Sequence, residues 1–134
     1  MIERVARRLR QHNRYVVTSL GDEGLTHELS IAETNHCLNP GQVESEWIER
    51  YHMSQGNFDE TEVDPKFTDK YPSVTQMGKV YARLVHSVDT EDNLASAIQN
   101  VYNSPICDKI DDYNTGAYYE PSYIQTRAFF DGCF

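Results

Sequence analysis

The sequence predicts an α+β fold: a short N-terminal helix and a β-hairpin or small antiparallel sheet, followed by a mostly helical C-terminal half. Three observations predict it. Residues 73–88 carry apolar side chains at helical spacing, residues 15–31 carry them in strand-like runs around a turn, and capping signals recur only in the second half. With 134 residues, 39% hydrophobic and 25% charged, the chain is the size and composition of one globular domain over residues 1–134.

The first helix is read from Ile2, Val5, Ala6 and Leu9, which share a face, with Arg4, Arg7, Arg8 and Arg10 on the other side. Residues 15–20 (YVVTSL) are β-branched and aromatic, residues 21–24 (GDEG) have turn chemistry, and Leu25, His27, Leu29 and Ile31 alternate beyond them. Together these predict the hairpin. Residues 32–41 lose all period and are expected to be irregular. A helix resumes after Pro40 on Val43, Trp47, Ile48 and Tyr51, with Glu44, Glu46 and Glu49 expected in water and Gly56 as a stop. Residues 57–72 hold two prolines and no period, which predicts a long loop with a short strand near Glu62.

The spine of the core is the next helix. Val74, Met77, Val80, Tyr81, Leu84, Val85 and Val88 form its stripe, and Ser73 with Gln76 reads as a capping box after Pro72. Residues 89–92 (DTED) supply a cap and acidic first turn for a helix on Leu94, Ala97, Ile98, Val101 and Tyr102. Ser104 and Pro105 open a third helix bearing Ile106, Ile110 and Tyr113, and Pro121 opens a last one with Ser122 and Gln125 as a second capping box.

The N-terminus has no apolar run of signal-peptide type and no segment approaches the ~18 apolar residues of a membrane span, so a cytoplasmic protein is expected. Cys37, Cys107 and Cys133 are odd in number and widely spaced, and are read as thiols. The net charge of −9 is unevenly spread: residues 1–14 carry +4, whereas residues 15–64 carry eleven acids against Arg50. Such a chain repels nucleic acid at long range, so direct nucleic-acid binding is not expected, and the arginine helix is read as resting on the acidic segment.

Chemistry-bearing residues are few. His36 and Cys37 in the irregular connection are candidate catalytic groups, because a cysteine nucleophile needs a base and an exposed setting. Metal ligands could come from Asp108, Asp111 and Asp112 at i, i+3 and i+4, or from His27, His36 and His52 with neighbouring glutamates, although no metal-binding spacing is present and no cofactor is expected. Residues 21–24 are too short and too acidic for a phosphate loop. Seven of the fifteen aromatics lie in the last twenty-two residues.

Surface features therefore dominate, and binding is expected rather than catalysis. The expected partner is a basic protein, and the expected role is that of an acidic inhibitor or nucleic-acid mimic directed at nucleic-acid-handling machinery of restriction or CRISPR type, as mobile elements deploy. Partner-binding residues are expected at Glu44, Glu46, Glu49, Asp59, Glu60, Glu62, Asp64, Tyr118 and Tyr119. The alternatives are a small hydrolase or transferase using Cys37 and His36 or a His/Asp metal cluster, and a homodimer or other homo-oligomer held by the aromatic tail.

Overall fold

The computed structural model describes residues 1–68 and 70–134, and their regular structure is helical throughout. In chain order come α1 (Ile2–Leu9), α2 (Asn13–Ser30), α3 (Ala32–His36), α4 (Pro40–Arg50), α5 (Val74–Val88), α6 (Leu94–Tyr102), α7 (Pro105–Ile110) and α8 (Ser122–Asp131). Two 3₁₀ turns, Pro65–Phe67 and Ala117–Tyr119, interrupt the connections. Among the described residues there is no strand, so the predicted α+β class is corrected to all-α, and neither the hairpin nor the strand near Glu62 forms.

The hairpin fails for a definable reason. Val16, Val17, Leu20, Leu25 and Glu28 are buried, a 3.6-residue period, whereas of the supposed strand face only Leu25 is buried and His27 and Leu29 are exposed. Packing of that stripe against α1 and α6 overrides the β-propensity of the valines. The turn chemistry is real but makes a kink: Gly21 takes φ 66, ψ −176 in the middle of α2, a conformation open essentially only to glycine, and the helix resumes beyond it.

The spine helix α5 forms as expected. Ser73 Oγ accepts from Gln76 N (3.1 Å) while Ser73 N donates to Gln76 Oε1 (2.7 Å), closing the capping box. Met77, Tyr81 and Leu84 are fully buried between α1, α6 and α8, and the Tyr81 and Tyr102 rings stack 4.3 Å apart. Burying six apolar side chains of α5 contributes on the order of 10 kcal/mol before entropy is subtracted.

Other boundaries move. The irregular connection contains the short exposed α3. The last capping box is absent: Gln125 is buried and donates instead to the carbonyls of Ala117 (3.0 Å) and Tyr118 (3.2 Å). α6 is capped by Asn93, whose side chain accepts from Ser96 N. α4 ends at Arg50 rather than near Gly56.

Helix α1 lies centrally, packed on α2, α4 and α5 through Val5, Ala6 and Leu9. Its arginines turn onto the acidic segment. Arg4 Nε and Arg8 Nη1 bracket Glu44 at 3.0 and 3.4 Å, and Arg7 Nε reaches Glu60 at 2.7 Å. Glu44 is thus buried at 8% exposure, not facing water as its helical position suggests.

Candidate functional site

The long loop is held by the end of α1. Gly56 N donates to the Leu9 carbonyl (2.8 Å) and Phe58 N to the Arg10 carbonyl (2.9 Å). A Cβ on residue 56 would lie 2.5 Å from the Arg10 oxygen, so this close approach requires glycine. His12 then stacks on Phe58 with ring centroids 3.7 Å apart. At the far end Asp64 N donates to Asn114 Oδ1 (2.7 Å), which ties the loop to the turn after α7.

This anchoring brings together two acidic groups that lie far apart in sequence. Asp59, Glu60 and Glu62 of the loop and Asp108, Asp111 and Asp112 of the α7 end line one cleft of about 380 Å3, with His12, Phe58 and Tyr113 among its walls. Arg7 neutralises Glu60 and also donates to the Pro72 carbonyl (3.0 Å) and Tyr113 Oη (3.2 Å). Arg14 pairs with Asp108 at 3.0 Å. Glu62 and Asp112 remain exposed at the rim. Asp59 accepts from the Thr61 hydroxyl (2.6 Å) and amide (2.9 Å), and these bonds hold its carboxyl below the usual range.

Asp111 is the inner wall. It accepts from Tyr81 Oη (2.6 Å), Asn13 Nδ2 (3.1 Å) and Cys107 Sγ (3.4 Å). Burial outweighs these bonds and lifts its carboxyl to about 7. Cys107 is driven well upward by burial and by Asp111, so it remains a thiol.

The remaining sequence-predicted residues are dispersed. Cys37 is exposed, and its thiol points to the Glu33 carbonyl at 3.9 Å rather than to a histidine. His36, also exposed, borders a separate cavity beside Trp47. Asp108, Asp111 and Asp112 turn to Arg14, Tyr81 and the Asn114 amide respectively, and among the described residues no group of three or more His, Cys, Asp or Glu side chains is arranged to hold a metal ion. Glu46 accepts from Gln42 at 3.4 Å, Glu49 and Asp64 are exposed, Tyr118 is half-buried and Tyr119 is 82% exposed.

Sequence reasoning missed His12, Phe58 and Asn114, which shape the cleft. Their roles arise from contacts between residues far apart in the chain, His12 with Phe58 and Asp64 with Asn114, and no local pattern signals them. Among the described residues no helix is long and apolar enough to cross a membrane. No protein-family model, curated protein or solved structure matches the chain.

Proposed function

We propose that the protein is a cytoplasmic binding protein whose acid-lined cleft receives basic side chains of a nucleic-acid-handling protein, so that it competes with nucleic acid for that partner. The observation that supports this reading is the convergence of six carboxyl groups on one cleft, of which Asp59, Glu62 and Asp112 are neither paired with arginine nor lifted by burial as Asp111 is. Two charges 4 Å apart near a protein surface attract by about 4 kcal/mol before desolvation, and a focused acidic field raises association rates by roughly 10- to 1000-fold at low salt. Glu46 and Glu49 on α4 add to the negative exterior, whereas Glu44 and Glu60 serve inside the fold.

The test begins with capture from a nuclease-treated lysate at low and high salt. A captured basic protein is then mixed with the wild type and with the triple variant Asp59→Asn/Glu62→Gln/Asp112→Asn. The variant is expected to associate about tenfold more slowly at low salt and to show a flatter salt dependence. Identical rates at every salt concentration would reject the cleft as the contact.

A second reading, self-association, is favoured by the outer face of α8. Tyr123 and Phe130 are 70% and 63% exposed on the same stripe. Sedimentation across a concentration series, with Tyr123→Ser/Phe130→Ser as the control, separates this reading from the first.

A further inference from the structure

The outer face of α8 carries one exposed stripe. Tyr123, Arg127 and Phe130 follow at i, i+4 and i+7, within about 60° of the helix circumference, while Gln125 and Ala128 on the opposite face are buried. α8 packs on α5 and α7 by that inner side, and Thr126 Oγ1 lies 2.7 Å from Ser87 Oγ, so the stripe points away from its own chain. Two large rings with a cation between them, spaced one above the other, are the anchors by which an amphipathic helix lies in an apolar groove.

The chain also carries such a groove. About 320 Å3 in volume, it is bounded by residues 1–3, the second half of α2, α4, α5 and α6. Its apolar walls are chiefly Leu25, Val85, Leu94 and Ile98, and Leu29, at 38% exposure, and Ala82 form an open rim. The two carboxylates in the lining already have partners. Glu3 accepts from Tyr102 Oη and lies 3.8 Å from the amino group of Met1, and Glu28 accepts from Arg50 Nη1 (3.3 Å) and Tyr51 Oη (3.1 Å). What the groove offers an occupant is therefore mainly hydrocarbon surface.

We propose that this groove takes the α8 stripe of a second copy of the chain, with Tyr123 and Phe130 seated in it. The inference rests on the self-association reading and supplies the surface that receives α8. The volumes match, since a cavity of about 150 Å3 holds benzene and one of about 320 Å3 has room for two rings. The lengths match, because the α5 residues of the groove run from Gly78 to Ala82 to His86, about 12 Å at ~1.5 Å per residue, and Tyr123 and Phe130 stand about 10 Å apart. The charges match, because Arg127 brings a cation to a lining that holds Glu3 and Glu28 against the single amino group of Met1, while Glu120 and Asp131 at the ends of α8 oppose Lys79 and Arg83, exposed on α5. Aromatic side chains bury ~150–250 Å2 each, so these two, about two-thirds exposed, contribute on the order of 250 Å2 against the ~800 Å2 per partner of a stable interface, and the contact is weak.

Analytical ultracentrifugation from about 10 μM to about 1 mM tests the proposal, and the wild type is expected to associate progressively over that range. The stripe variant Tyr123→Ser/Phe130→Ser and the groove variant Ala82→Arg are each expected to self-associate at least tenfold more weakly. Leu29→Arg, on the α2 side of the rim, is expected to repeat the effect of Ala82→Arg, and the thermal transition of each variant checks its fold. Mixed in equal amounts, the stripe variant and Ala82→Arg are expected to form one-to-one pairs, since the first keeps its groove and the second its stripe. A wild type that stays monomeric at about 1 mM overturns this inference and the self-association reading together. Groove variants that associate as the wild type does, or a mixture that stays monomeric, overturn this inference while self-association through α8 stands. None of these outcomes touches the acid-lined cleft, which shares no residue with the groove.

Discussion

Replacing Asp111 by Asn probes the inner wall of the acidic cleft. Burial lifts this carboxyl from an ordinary 3.8 to about 7, even though Tyr81, Cys107 and Asn13 all donate to it. The unfolded chain loses the Asp111 proton near 3.8 and the folded chain near 7, so the native state holds the extra proton between those values. The contribution is fully present below about 4 and is lost as the pH rises through 7. At about 1.4 kcal/mol per pH unit the ceiling is ~4 kcal/mol, and because Asp111 keeps some exposure to water we expect ~2 to 3 kcal/mol. An asparagine side chain is neutral at every pH, so Asp111→Asn removes this dependence. Urea unfolding followed by circular dichroism at about pH 5, 6, 7 and 8 gives the two stability profiles. The Asp111→Asn protein is expected to gain on the wild type from about pH 5 to about pH 7 and to level off beyond it. Parallel profiles over that range would refute the burial argument, since every other titrating group is common to both proteins.

Three further outcomes are expected. Gly21→Ala costs ~1–3 kcal/mol although nothing lies within 4 Å of the new Cβ, because the backbone there is at φ 66; Gly116→Ala, with equal space and φ −91, is neutral or slightly stabilising, and thermal melts of the pair separate strain from crowding. Arg7→Met leaves Glu60 buried and uncompensated and costs ~3–5 kcal/mol by denaturant titration, whereas Arg8→Ala, at a half-exposed pair, costs under ~1 kcal/mol. Ser73→Ala removes one half of the α5 capping box and lowers stability by ~1 kcal/mol, read as a shift in the urea midpoint with an unchanged slope.

The parts legible in the sequence are those decided within one or two helical turns. The α5 stripe, its capping box, the proline starts of α4 and α7 and the buried face of α1 all depend on neighbours three or four residues away. The α2 region misleads because its valines suit a strand locally, and only packing against α6, some eighty residues downstream, selects the helix. Charged residues are the harder case. Glu3, Glu28, Glu44 and Glu60 are all buried, each with a donor from a distant segment: Tyr102, Arg50, Arg4 and Arg7 respectively. No periodicity distinguishes them from the glutamates left in water. The acidic cleft is half legible, since both of its acidic groups stand out in the sequence, but their meeting depends on the loop anchors at Gly56 and Asp64.

The polar bonds that fix the beginning of the chain have a temporal consequence. Glu3 waits for Tyr102, Arg7 for Tyr113 and Asn13 for Asp111, separations of 99, 106 and 98 positions. At a synthesis rate of roughly 5–20 residues per second, α1 spends about 5 to 20 seconds outside the ribosome before these partners emerge. During that interval α1 already has α2, α4 and the carboxylates of Glu44 and Glu60 to meet as each emerges, while Glu3, Arg7 and Asn13 still lack their late partners. Helical proteins ordinarily fold fast because their contacts are local. Here three bonds of the first thirteen residues close only once residues 102–113 have been made.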